Sequence, residues 1–231
     1  MRKNHRVVMV AAAFLLLSGC ATTPSATPAP VATSSTPSPT AATPSIATIA
    51  VGGAALQFLD ADGDTVAEPV EFTADPAAAI AILTGVFGSE PVVTTRPSDE
   101  SCTPEATEVT WADGVVVRYG LPEGFIPPAQ SFEIEVTTAS VGEIGLESST
   151  GVAVGGPVEA LTATLPPEQV GQVSDIGGMS RQWVDYHVAS GSWVPETDPD
   201  YGSFDYWGAT ARVSDGVVDR LSAPTLFVNL C

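Results

Sequence analysis

Lysine occurs once in the 231 residues, at Lys3, and histidine twice, at His5 and His187. Beyond position 3 the chain therefore has no Schiff-base amine, no S-x-x-K nucleophile and no Walker A lysine. A single histidine past the N-terminus excludes multi-histidine zinc sites such as H-E-x-x-H. Neither a G-x-S-x-G elbow nor a C-x-x-C pair occurs. No cofactor is expected from such a motif set. Positive charge is scarce: eight Lys and Arg stand against 27 Asp and Glu, for a net charge of −19. Binding nucleic acid depends on cationic side chains that neutralise phosphates, so a nucleic-acid partner is excluded.

What is present begins with a patterned N-terminus. Arg2, Lys3 and Arg6 precede an uninterrupted apolar run, Val7 to Leu17, and then Leu17-Ser18-Gly19-Cys20. A basic start, an apolar core of about 7–15 residues and small residues at its end make a secretory signal. The run is well short of the roughly 20 residues that a spanning helix needs. The Leu-Ser-Gly-Cys ending resembles the lipobox of bacterial lipoproteins. That resemblance implies a signal peptide over residues 1–19, cleaved before Cys20, whose thiol carries the lipid anchor. The expected address is the extracytoplasmic face of the cell membrane, with the membrane itself a partner through that lipid.

Loss of residues 1–19 removes all three N-terminal cations. Arg96, Arg118, Arg181, Arg212 and Arg220 remain against the 27 acidic residues, a net charge of −22. So acidic a chain gains nothing from anionic lipid, and the acyl group must hold it at the membrane. Ala21 to Ser45 is almost wholly Ala, Thr, Ser and Pro, with six prolines and no charge. It reads as an unfolded tether that reaches up to roughly 75 Å when extended. Residues 46–231 are long enough for one large domain or two small ones, with halves at 46–139 and 140–231. Outside the membrane the two remaining cysteines, Cys102 and Cys231, are expected to pair as a disulfide.

Asp62-Gly63, Asp113-Gly114 and Asp215-Gly216 each stand beside apolar runs. Asp-Gly suits type I′ turns, so each pair predicts a β-hairpin. Phe132 to Val136 alternates as a half-buried strand should. The stretches 182–188 and 208–213 are further strand candidates. Asp75-Pro76 predicts a helix start, Ile80, Leu83 and Phe87 its buried face, and Gly88 its end. A shorter helix is expected from Gly156-Pro157, presenting Leu161 and Leu165 before Pro166. The fold class expected is α+β: antiparallel hairpins with two short helices. The recurrence of Asp-Gly-Val-Val-x-Arg at 113 and 215 suggests a tandem repeat of a small helix-plus-sheet unit. The arrangement resembles uncharacterised lipoproteins of high-GC Gram-positive bacteria. More loosely, and in layout alone, it is similar to the tandem-repeat architecture of secreted β-lactamase inhibitor proteins.

Two constellations bear on chemistry. Asp60, Asp62, Asp64, Glu68 and Glu71 occupy positions 1, 3, 5, 9 and 12 of an EF-hand-like loop, all oxygen donors suited to Ca²⁺. However, position 6 calls for glycine and holds Thr65, and no helix precedes Asp60. An acidic hairpin turn explains the same residues with fewer exceptions. The stretch 193–207 interleaves Trp193, Tyr201, Tyr206 and Trp207 with Glu196, Asp198, Asp200 and Asp205. Such a loop can stack sugars while binding hydroxyls, or hold a cationic group. The plainer reading is an acidic connection whose aromatics pack inward. His187, alone on a strand, reads as structural. The expected function is a non-enzymatic binding protein of the cell envelope, with an unidentified envelope protein or glycan as partner. The alternatives are a wall hydrolase that uses the loop carboxylates and a purely structural component.

Overall fold

A computed structural model describes residues 45–99, 103–112, 114–176, 178–190 and 207–226, all within one compact unit, 42–231. The expected signal peptide over 1–19, Cys20, residues 21–44 of the expected tether, Cys102, Asp113, Cys231 and residues 193–206 of the acidic loop lie outside the described residues.

The described chain is mostly β, in two sheets, with two α-helices, so the α+β expectation holds loosely. The first segment contributes β1 (Thr48–Val51), β2 (Ala55–Leu59) and β3 (Thr65–Glu71). Helix α1 (Pro76–Phe87) follows as the sequence predicts. The Asp75 carboxylate accepts the Ala77 N–H at 2.8 Å, and Gly88 closes the helix in the left-handed conformation at φ 63°. Leu83 is fully buried, while Ile80 and Phe87 pack half-buried against the core.

Strands β4 (Val92–Arg96), β5 (Ala106–Trp111), β6 (Val115–Tyr119) and β7 (Phe132–Val136) then run as an antiparallel meander. The second half supplies β8 (Ser140–Val141), β9 (Ile144–Ser148), the short α2 (Val158–Thr162) and a 3-10 turn at Pro167–Gln169. It ends in a second meander of β10 (Ser174–Ile176), β11 (Met179–Ser190), β12 (Trp207–Ser214) and β13 (Val217–Leu226).

The two meanders join edge to edge through β13 and β7 into one eight-stranded sheet, β10-β11-β12-β13-β7-β6-β5-β4. The smaller sheet runs β3-β2-β1-β9-β8, and its centre is a parallel pair, β1 with β9. That pairing departs from the expected all-antiparallel hairpins. Parallel strands need a long crossover, so only packing between distant segments could specify it. Buried residues of both sheets and both helices belong to one core, with Phe72 edge-on to Phe132 at 5.3 Å and Phe87 to Trp111 at 5.6 Å.

Asp62-Gly63, Gly114 and Asp215-Gly216 all lie at hairpins, but they close them differently. At Asp215-Gly216 both residues have positive φ, 51° and 80°, between the paired Ser214 and Val217, as a type I′ turn requires. At the first pair only Gly63 has positive φ (85°), and Asp60 directs the turn. Its carboxylate accepts the N–H groups of Asp62 and Asp64 at 3.0 and 2.9 Å, an Asx arrangement. In the third hairpin Ala112 takes the positive φ, and Gly114 is needed for space, since a Cβ there would lie 2.5 Å from Thr138 Cγ2. The motif at 113 falls between the second and third strands of its meander, and that at 215 between the third and fourth. The shared residues thus reflect hairpin chemistry at non-equivalent places.

One face of the large sheet is tied together by charge. Arg118 on β6 reaches Glu108 on β5 at 2.7 Å and Glu133 and Glu135 on β7 at 3.2 and 3.1 Å. Arg96 joins Glu108 at 3.2 Å, and Arg220 joins Glu135 at 2.9 Å. Arg212 meets Asp219 at 2.7 Å. Burial works against the Arg118 charge, but Glu108, Glu135 and Glu133 outweigh it and hold the guanidinium above its ordinary range. Four of the five arginines past residue 19 are thereby committed to the sheet.

Candidate functional site

Strands β11 and β12 carry the loop that the sequence marks for ligand binding, and of its residues only Trp207 is described, half-buried at the start of β12. The strand pair below it is irregular. Val184 pairs with Ala211 and His187 with Ala209, so Asp185 and Tyr186 together oppose the single residue Thr210. This two-against-one count is a β-bulge, a device that re-aims side chains and recurs beside functional sites.

The bulge gathers polar groups that the fold leaves unanswered. Tyr186 Oη and Thr210 Oγ1 are buried without a hydrogen-bond partner. Asp185 has no ion pair or hydrogen bond among the described residues, and burial alone pushes its carboxyl up from 3.8 to about 7. The Tyr186 phenol is likewise pushed up by burial. Buried polar groups are almost always satisfied, so Tyr186 Oη and Thr210 Oγ1 on the two strands of one bulge call for an explanation. Two residues before Asp185, Trp183 lies directly across from Arg212 and is 50 % exposed. Its indole offers a stacking surface beside the bulge.

His187 lies on the other side of the irregularity. Its Nδ1 is 3.2 Å from Ser149 Oγ, and burial lowers its pKa, so the ring is neutral at pH 7. It packs on the turn between β1 and β2, where a Cβ on Gly53 would come within 3.0 Å of the His187 carbonyl oxygen. No carboxylate among the described residues pairs with His187, and its contacts are those of a packing residue.

The EF-hand-like carboxylates do not gather. Asp60 is spent on its own turn, and Glu71 Oε2 accepts from Thr73 at 3.1 Å. Among the described residues no group of three or more His, Cys, Asp or Glu is placed to hold a metal ion. Also among them, no helix is long and apolar enough to cross a membrane.

Among the described residues, concavities also form elsewhere. One of about 680 Å³ lies between α1 and the β4–β5 edge, and one of about 650 Å³ lies within the loop that joins β6 to β7 around Pro127 and Pro128. Asp185, Tyr186 and Thr210 escape sequence reasoning because a bulge arises from the register of two strands. The only local signal is a carboxylate in the otherwise strand-like run Trp183 to Val188. No family model, curated protein or solved structure matches this chain.

Proposed function

We propose that the protein is a lipid-anchored lipoprotein of the extracytoplasmic membrane face, and that its folded domain is a non-enzymatic binding protein of the cell envelope. The address is supported by the N-terminal pattern that ends at Cys20 and by the Ala/Thr/Ser/Pro tether. The binding role is supported by one observation above others: one β-bulge carries unpartnered Asp185, Tyr186 and Thr210, two residues along the strand from exposed Trp183, at the foot of the acidic aromatic loop. Such a site suits a ligand rich in hydroxyl or amine donors, as cell-wall glycans and their peptides are. Titrating the isotope-labelled mature chain with soluble wall fragments tests this. Shifts at residues 183–187 and 209–211 that vanish in Trp183→Ala support the role. No shift at any fragment concentration leaves a purely structural component.

A carboxylate-dependent glycan hydrolase is the second reading, favoured by the Asp185 carboxyl that titrates near neutrality as a general acid does. Turnover of purified wall abolished by Asp185→Asn would establish it, and turnover unchanged in that variant would remove it.

The doubled layout also supports a duplicated unit, since α1 and α2 each precede a four-stranded meander. Related sequences should then align half against half with β4–β7 over β10–β13. An alignment that runs only through the two Asp-Gly pairs would sink the idea.

A further inference from the structure

Sheet edges expose unpaired N–H and C=O groups, and proteins blunt them with brevity, proline, charge or bulges. The two sheets end in β3, β8, β10 and β4. Two of these are blunted by length, β8 having two residues and β10 three. β3 carries Pro69 between Glu68 and Val70, and its register with β2 slips twice. β4 keeps only one of these defences, the charge of Arg96 at its end, which is paired with Glu108. Val92-Val93-Thr94-Thr95-Arg96 keeps unbroken register with β5, holds neither proline nor carboxylate, and exposes Val92 and Val93 by 64 % and 61 %.

The groove of about 680 Å³ opens beside this edge, between α1 and the sheet face, with Ile80, Ala81 and Thr84 of α1 on one wall and Val93 of β4, Val109 of β5 and Tyr119 of β6 on the other. Asp75 and Glu90 also line it, and no basic residue does. We propose that the β4 edge and this groove form a strand-addition site for an extended, cationic segment of a partner protein. The segment's main chain pairs with β4 and extends the eight-stranded sheet to nine. Alternate apolar side chains enter the groove, and a basic side chain meets Glu90. Charge decides between occupants: a second copy brings another −22, whereas a cationic strand is drawn to a surface of opposite sign. The site is separate from the β11–β12 bulge and stands or falls independently of it.

The test uses the mature chain and a labelled synthetic heptapeptide that alternates valine with threonine between terminal lysines. Anisotropy should show saturable binding, weakened at least tenfold when glutamates replace the lysines and lost when alternate peptide nitrogens are methylated. Amide exchange should slow at β4 on binding. Val93→Glu, at an exposed position, should abolish binding while the circular dichroism stays native. Ala81→Glu on the helix wall serves if that variant fails to fold. Equal binding of the lysine and glutamate peptides, binding that survives both variants, or no binding at all overturns the proposal. A dimer in sedimentation that Val93→Glu dissolves overturns it too, and assigns the edge to a second copy.

Discussion

Replacing Asp185 by asparagine should make the protein more stable at neutral pH, and the gain should disappear in acid. In the unfolded chain this carboxyl ionises near its ordinary 3.8, while in the fold burial delays ionisation to about 7. A group whose folded pKa is raised favours folding while protonated. Its contribution is therefore whole below pH 3.8 and is lost as pH rises from 3.8 through 7. The full difference is roughly 4 kcal/mol, from about 1.4 kcal/mol for each tenfold change in proton affinity. Asparagine keeps the shape and cannot ionise. Urea denaturation of both proteins from pH 3.5 to 8 is the assay, and the difference between the two curves is the readout, because the global acidity affects both alike. The difference should be near zero at pH 3.5 and reach several kcal/mol by pH 8. A difference independent of pH, or one that grows toward acid, would refute an unpartnered buried carboxyl at the bulge.

Other outcomes follow from the same structure. Arg118→Leu should cost about 3–5 kcal/mol in chemical denaturation, because Glu133 loses its ion-pair partner while Glu108 and Glu135 each keep one arginine, Arg96 and Arg220. Asp75→Ala should cost about 1 kcal/mol by removing the N-cap of α1, read as a small fall in the denaturation midpoint. Leu83→Ala, which empties a fully buried site, should cost about 2–5 kcal/mol. Thiol titration of the unreduced mature protein should find no free cysteine if Cys102 and Cys231 are bonded, and two if they are not.

The parts of this fold that a reader could take from the sequence are those fixed within a few residues. Asp75-Pro76 and Gly88 delimit α1 because capping is local chemistry. Asp215-Gly216 makes its type I′ turn because both positions tolerate positive φ. Phe132 to Val136 alternates because one of its faces is buried. The parallel pairing of β1 with β9 left no trace, since nothing local distinguishes a strand that pairs with a segment almost a hundred residues away. β4 was equally hidden: Val92-Val93-Thr94-Thr95 does not alternate, because as an edge it is exposed on every residue. The Asp-Gly-Val-Val-x-Arg recurrence falls at different strand pairs of the two meanders. Hairpins select those residues wherever they occur. Of the candidate sites, the loop at 193–207 was conspicuous by composition. The bulge at its foot was not, because Asp185, Tyr186 and Thr210 meet only when β11 and β12 pair.

The central claim is that Cys20 ties this acidic domain to the membrane, and intact-mass analysis of the protein extracted from its native membrane tests it most directly. The account predicts a detergent-phase species that begins at Cys20 and carries diacylglyceryl mass on that residue, and a Cys20→Ala form that cannot be lipidated. A species in the aqueous phase that begins elsewhere, with an unmodified Cys20, would contradict it.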